Sequence, residues 1–237
     1  MRLKVIATGS RGNCYLLTAG EGASAVSLLL DAGVRYDELI RETDALQGVC
    51  GALVTHEHQD HVHCAAKLAR LGVPVYMSRG TAAAAGIGSF RAAEDKHQLR
   101  IGPFTVLPFR TEHDAAEPLG FLIRADGTTL LYATDTYYVR YRFPGVNWWL
   151  IECNYVDELV ENMENVKLRK RLLKSHMGLK RLKELFGAND LRDTRGVVLC
   201  HLSDERSDEV RMVREIREAA GAPVLAATAG MEVELCR

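Results

Sequence analysis

The chain has 237 residues, 47% of them hydrophobic and 26% charged, and a formal net charge of -1. A chain of this length buries a sizeable core without disulfide staples, and its near-neutral balance excludes a uniformly basic nucleic-acid binder, so any polyanion has to be met by a local patch. The six cysteines, Cys14, Cys50, Cys64, Cys153, Cys200 and Cys236, are scattered and form no C-x-x-C pair, which excludes a disulfide framework and leaves them as packing residues.

Met1 to Ile6 run directly into a strand-like pattern with no secretory apolar region, and no apolar run approaches the roughly 20 residues of a membrane span. A cytoplasmic protein with no membrane partner is expected. Strands are predicted at Leu3 to Ala7, Cys14 to Thr18 and Val26 to Leu30, with the turn cluster Gly9-Ser10-Arg11-Gly12-Asn13 between the first two. Tyr36 to Leu46 has a helical rhythm, Cys50 to Thr55 reads as a buried strand, His63 to Leu71 as a helix and Val73 to Met77 as a strand. Gly80 to Gln98 predicts a helix followed by a loop. Further strands follow at Phe104 to Phe109, Leu119 to Ile123 and Thr129 to Ala133, the last two joined by an Asp126-Gly127 hairpin turn. After an apolar run at Trp148 to Glu152, residues 156 to 186 read as mostly helical. A strand at Val197 to Cys200, a helix from about Ser207 to Ala220, and short strands at Val224 to Ala227 and Val233 to Leu235 close the pattern. Strands in both halves with interspersed helices suit two facing sheets with helices outside. No linker or repeat divides the chain, so a single domain over 1–237 is expected.

Four of the eight histidines fall between positions 56 and 63, directly after an apolar strand that delivers them together. His56 and His58, two apart, share one side of an extended turn, while Asp60 and His61 face a second point. Imidazole and carboxylate donors in that arrangement serve two divalent metals, and Zn²⁺, Mn²⁺ and Fe are all compatible with them. His63 falls outside the pattern and starts the next helix, and His97 reads as a surface residue.

Thr55-His56-Glu57-His58-Gln59-Asp60-His61 resembles the signature of the metallo-β-lactamase-fold hydrolases. Other elements of that superfamily stand in order: Leu29-Leu30-Asp31-Ala32-Gly33, Thr111-Glu112-His113-Asp114-Ala115, Ala133-Thr134-Asp135-Thr136 and Leu199-Cys200-His201-Leu202-Ser203. The resemblance covers roughly residues 3 to 235. It implies an α/β fold, an αββα sandwich of two facing mixed β-sheets flanked by helices. It assigns His56, His58 and His113 to one metal, Asp60, His61 and His201 to a second, and Asp135 to both. Asp31 would orient the imidazoles, and a hydroxide activated by the dinuclear site would be the nucleophile.

Fold alone does not name a substrate. Gly9 to Tyr15, His113-Asp114-Ala115 with Pro118-Leu119-Gly120-Phe121 after it, and His201-Leu202-Ser203 resemble the YycJ/WalJ-like branch, which is associated with exonuclease action on DNA. In that branch Ser175-His176-Met177-Gly178-Leu179 would supply His176 as proton donor to the leaving oxygen, held by Glu152. Asn154-Tyr155-Val156 departs from the Asn-His-Asp that the family tends to carry there. Lys167, Arg169, Lys170, Arg171, Lys174, Lys180, Arg181 and Lys183 form a basic run without an acid between Lys167 and Lys183, suited to gripping phosphates. A metal-dependent DNA exonuclease is therefore expected, with Asp60 and His176 catalytic and DNA favoured over RNA. The alternatives are a thioester or lactone hydrolase of the same fold and a non-catalytic, metal-stabilised nucleic-acid-binding protein.

Overall fold

The structure, a computed structural model, describes residues 1–235. In chain order the first elements are β1 (Arg2–Ala7), β2 (Cys14–Ala19), β3 (Val26–Leu30), α1 (Tyr36–Glu42), β4 (Val49–Leu53), α2 (Gln59–Val62), α3 (Ala65–Arg70), β5 (Val75–Met77), α4 (Arg79–Ala85), β6 (Arg91–Ala92), β7 (Leu99–Ile101), β8 (Phe104–Arg110) and β9 (Leu119–Ala125). Then follow β10 (Thr128–Ala133), β11 (Trp148–Glu152), α5 (Asp157–Glu161), α6 (Val166–Ser175), α7 (Leu179–Ala188), β12 (Gly196–Cys200), α8 (Glu209–Ala220), β13 (Val224–Ala226) and β14 (Glu232–Glu234). The strands make two mixed seven-stranded sheets flanked by helices. No helix among the described residues is long and apolar enough to cross a membrane.

Contacts divide the chain into two compact units. The first comprises Met1–Arg110, Ala115–Thr128 and the segment from Thr228 onward. It holds the sheet β14-β1-β2-β3-β4-β5-β6, antiparallel from β14 to β3 and parallel from β3 to β6. It also holds the antiparallel run β7-β8-β9. One face of its helices packs on the sheet through Leu29, Val54, Leu39, Leu68 and Met77. The second unit comprises Thr111–Asp114 and Thr129–Ala227. Its strands β10, β11, β12 and β13 are all parallel. Every residue of β10 and β12 is buried, which is why those stretches read as continuous apolar runs rather than alternating ones. In α7, Leu179, Leu182, Leu185 and Phe186 form the buried stripe, and Phe186 meets the Trp149 ring edge-on at 5.2 Å.

Several boundaries differ from the sequence expectation for local reasons. The helix placed at His63 begins earlier, at Gln59, and breaks at His63 and Cys64 before resuming. The expected helical span 156–186 is three helices, because Asn165 caps α6 by accepting from the Leu168 N–H and Gly178 precedes α7. Asp126 and Gly127, with φ of 51° and 68°, make the two-residue turn that Asp-Gly favours.

Five cysteines, Cys14, Cys50, Cys64, Cys153 and Cys200, carry free thiols in the structure; Cys236 lies outside the described residues. Burial pushes the Cys64 thiol up to about 12 and raises Cys14 and Cys153 as well; it also raises Cys50, which is only half-buried and so remains open to reagent. Thiolate is the reactive form, so iodoacetamide at pH 8 should label Cys50 well before Cys14, Cys64 and Cys153, as peptide mapping of the native protein would read.

Candidate functional site

In the first unit the parallel neighbours β3 and β4 pair Leu30 with Leu53, so the chain leaves both strands at the same edge. This places Asp31 and the segment Thr55–His58 side by side at the carboxyl ends of parallel strands, where α/β folds gather ligands. Asp31 sits in the left-handed region at φ 56°. Its buried carboxylate accepts the Thr55 N–H at 2.7 Å and the Thr55 hydroxyl at 3.0 Å, and lies 2.8 Å from His61 Nδ1. A carboxylate at that distance draws the ring proton to Nδ1 and leaves Nε2 as the lone-pair nitrogen. That Nε2 is 3.4 Å from Asp60 Oδ2.

The loop carrying these donors is tied down through its backbone. The Asn13 N–H donates to the Asp60 carbonyl at 2.7 Å and the Ala32 N–H to the His61 carbonyl at 2.8 Å. The fit leaves no room at Gly33, where a Cβ would stand 1.7 Å from the Asp60 carbonyl oxygen. His56 Nε2 and His58 Nδ1 lie 3.1 Å apart. Two nitrogens bound about 2.0–2.1 Å from one tetrahedral zinc ion stand roughly 3.3 Å apart. The donors of this unit therefore fit a divalent metal in spacing as well as in type.

The second unit repeats the construction. Register pairs Ala133 with Ile151 and Ile151 with Leu199 across β10, β11 and β12, so Asp135, Glu152 and His201 emerge at one edge. Asp135 and His201 are again left-handed, at φ 46° and 52°. Non-glycine residues held there cost about 1–3 kcal/mol each and concentrate at functional sites. Asp135, Glu152, His176 and His201 offer ligand atoms that all lie within 4.8 Å of one another.

His113 Nδ1 is 2.8 Å from the Ser175 carbonyl. A carbonyl only accepts, so Nδ1 carries the proton and Nε2, 3.7 Å from Asp135 Oδ2, is the lone-pair nitrogen. Burial lowers the His113 pKa and favours the neutral, ligating ring. Glu152 is fully buried and fully engaged. Its Oε1 lies 2.6 Å from His176 Nδ1 and 3.1 Å from His201 Nδ1, while Oε2 accepts the Thr136 and Met177 N–H groups. Burial alone would raise this carboxyl, but the charge and hydrogen bond of His176 and the bond from His201 outweigh it and hold it ionised. For His176, burial would lower the pKa, and the Glu152 charge and bond reverse that, leaving it raised. Both shifts favour the proton on His176 and the negative charge on Glu152.

Within each unit, then, the expected site residues come together: Asp31, His56, His58, Asp60 and His61 in the first, and His113, Asp135, Glu152, His176 and His201 in the second. Of the basic run, Lys167, Lys170, Arg171, Lys174, Lys180, Arg181 and Lys183 are exposed and Arg169 is half-buried. The run is split by its partners. Arg171 reaches Asp114, beside His113, at 3.1 Å, whereas Lys183 pairs with Glu215 of α8 at 2.8 Å. His97 is exposed, as expected.

Three supporting residues were not visible in the sequence as site residues. Asn13 Nδ2 lies 3.1 Å from His61 Nε2. The Thr55 hydroxyl binds Asp31 and stands 3.0 Å from His56 Nδ1. Asn154 donates to the His201 carbonyl at 2.8 Å. In the departure from the family's Asn-His-Asp, Tyr155 is buried and its ring packs so closely on Gly178 that a Cβ there would stand 2.3 Å away. The segment keeps its asparagine in a working position.

The model of the β-lactamase superfamily domain matches residues 27–202. The chain is 28% identical over 249 residues to the exodeoxyribonuclease WalJ of Streptococcus pneumoniae, covering 92% of this chain and 89% of that one. It is 32% identical over 177 residues to the exodeoxyribonuclease YycJ of Bacillus anthracis, covering 68% and 65%. Among solved structures it superposes on the metallo-β-lactamase fold protein YhfI of Bacillus subtilis with a TM-score of 0.73 at 17% identity, covering 98% and 99%. With strand-end histidines and aspartates that fit a divalent metal, and a superfamily match across most of its length, the chain belongs to the β-lactamase superfamily as a metallo-β-lactamase-fold hydrolase.

Proposed function

We propose that the chain is a metal-dependent nuclease, a DNA exonuclease acting in the cytoplasm as a single domain. The observation that carries the reading is the Glu152–His176 pair, a half-buried proton donor held on a buried carboxylate beside the metal-type donors Asp135 and His201. Departing alkoxides need a proton, whereas ester hydrolysis of activated small molecules does not. The likeness to two exodeoxyribonucleases supports DNA over RNA.

In this reading His56, His58 and His113 would hold one divalent ion and Asp60, His61 and His201 a second, with Asp135 available to both. Zinc or manganese is favoured and iron is compatible. When bound, such ions polarise a phosphodiester and acidify a water to near neutrality. Asp60, with its carboxylate at the edge of the donor cluster, would orient an attacking water and take up its proton. Asp31 holds the His61 ring and Glu152 the His176 ring, so the reacting groups are fixed before substrate arrives. His176 donates its proton to the leaving oxygen. Arg181 and the exposed lysines of α6 supply the cations that meet the phosphates.

End-labelled single- and double-stranded DNA and RNA, incubated with the protein in Mn²⁺ or Zn²⁺, should show cleavage of DNA that chelator abolishes. Intact substrates in every metal, with metal shown to be bound, would replace the reading with small-molecule ester or thioester hydrolysis. The role of His176 has its own signature. His176→Ala should slow DNA cleavage on the order of 10²–10⁴-fold, yet cost far less with a nucleotide p-nitrophenyl ester, whose leaving group needs no proton. Equal losses on both substrates would remove His176 from the proton-donor role.

A further inference from the structure

The second unit carries a cavity of about 370 Å³ that neither metal ligation nor proton transfer uses. Its wall comes from two directions. Tyr138, Arg140, Tyr141 and Arg142 follow the strand end that bears Asp135, and Arg181 and Glu184 project from α7. Residues 137–142 read Tyr-Tyr-Val-Arg-Tyr-Arg. The lining thus holds three arginines against one carboxylate.

Tyr138 is 47% exposed, an unusual position for a large aromatic ring. It is not a loose one. The Thr136 hydroxyl donates to the Tyr138 carbonyl at 2.8 Å, and the Thr136 N–H is bound to Glu152, the residue that holds His176. Val139 is buried, and the Phe143 N–H donates to Asn189 Oδ1 at 2.8 Å, so the far end of the segment is tied to the end of α7. Arg181 lies over the Tyr137 ring at 5.4 Å and donates to the Tyr137 carbonyl. Arg140 is held by Glu112. Arg142 is exposed and has no carboxylate partner among the described residues.

An exposed tyrosine on a tied backbone, lining the same cavity as a guanidinium with no carboxylate partner among the described residues, matches a ligand with a flat π face and a phosphate. Such pairs bind unpaired nucleotides: bases stack on the aromatic ring and backbone phosphates meet arginine. A base inside a duplex has no face to offer. Resting on the nuclease reading above, we infer that this cavity receives an unpaired nucleotide of the substrate, with its base on Tyr138 and its phosphate on Arg142, and that the enzyme takes single strands or frayed ends in preference to paired duplex.

The test uses the full chain in chelator, with fluorescein-labelled 12-nucleotide single strands and the blunt duplex of the same sequence, read by anisotropy. Wild type should bind the single strand about tenfold more tightly than the duplex. Tyr138→Ala should lose about tenfold in single-strand affinity while Tyr138→Phe retains it. Arg142→Ala should lower the slope of log affinity against log salt by about 0.7. Equal wild-type affinity for both forms, or a Tyr138→Ala protein that binds single strands like wild type, overturns the inference. Metal-dependent cleavage by the wild type is measured in parallel. Tight, Tyr138-dependent binding without cleavage in any metal removes the nuclease reading and keeps the nucleotide site. Cleavage that is indifferent to Tyr138, in KM as in kcat, removes the site and keeps the nuclease.

Discussion

Asp60→Ala should lose DNA cleavage by a factor on the order of 10²–10⁴, the range typical of a missing proton acceptor, while keeping its fold. The two halves of that expectation have separate causes. Asp60 holds the loop through its backbone carbonyl, which accepts the Asn13 N–H at 2.7 Å, and alanine keeps that carbonyl. The side chain is partly exposed and its Oδ2 approaches His61 Nε2 at 3.4 Å, so what is removed is a donor atom and a base rather than packing. Circular dichroism and the urea midpoint should therefore match wild type in the metal-free protein. Metal titration should show weakened binding of the ion assigned to Asp60, His61 and His201, with the His56–His58 pair still loaded. Asp60→Asn, which preserves volume and removes the base, should be almost as inactive. A fully active Asp60→Ala protein would remove Asp60 from both of its proposed roles.

How much of this was legible beforehand depends on how local the information is. His56, His58, Asp60 and His61 lie within six consecutive residues after an apolar strand, so their convergence is written in spacing alone. Asp31 and Asp135 were legible through the resemblance of Leu29 to Gly33 and Ala133 to Thr136 to motifs of the metallo-β-lactamase-fold hydrolases, since an aspartate at a strand end by itself reads equally as a turn cap. The supporting shell was not. Asn13 and His61 are 48 residues apart, as are Asp31 and Thr55 by 24 and Asn154 and His201 by 47. An amide or hydroxyl has no periodicity to betray such a partner. The strands Arg91–Ala92 and Leu99–Ile101 were missed because two or three residues cannot display alternation. The basic run was visible as charge, but sequence does not say which charges are already spent. Lys183 faces Glu215 and Arg171 faces Asp114. Arg142, which has no carboxylate partner among the described residues, lies outside that run altogether.

Gly33→Ala should destabilise the protein by about 3 kcal/mol or more, near the upper end of overpacking effects. No backbone strain is involved, only space. The new Cβ would stand 1.7 Å from the Asp60 carbonyl oxygen, 2.2 Å from its carbon and 2.8 Å from the His61 nitrogen, and all three atoms belong to backbone that cannot rotate away. Relief requires pushing α2 off, which stretches the Asn13-to-Asp60 and Ala32-to-His61 hydrogen bonds, each contributing about 0.5–1.5 kcal/mol. The same displacement carries Asp60 and His61 away from Asp31. Urea unfolding of the metal-free protein should thus show the loss, and equilibrium dialysis of the fraction that folds should show reduced metal binding. Gly187→Ala is the control. That residue lies within α7, is exposed, and has nothing within 4 Å of its added methyl, so alanine should stabilise the protein by roughly 0.5–1 kcal/mol. The two substitutions add the same single carbon, so their opposite signs would locate the constraint in the close approach of Gly33 to the loop that carries the donors. A Gly33→Ala protein as stable as wild type, and binding metal equally well, would mean that this loop is held far less tightly than its hydrogen bonds indicate.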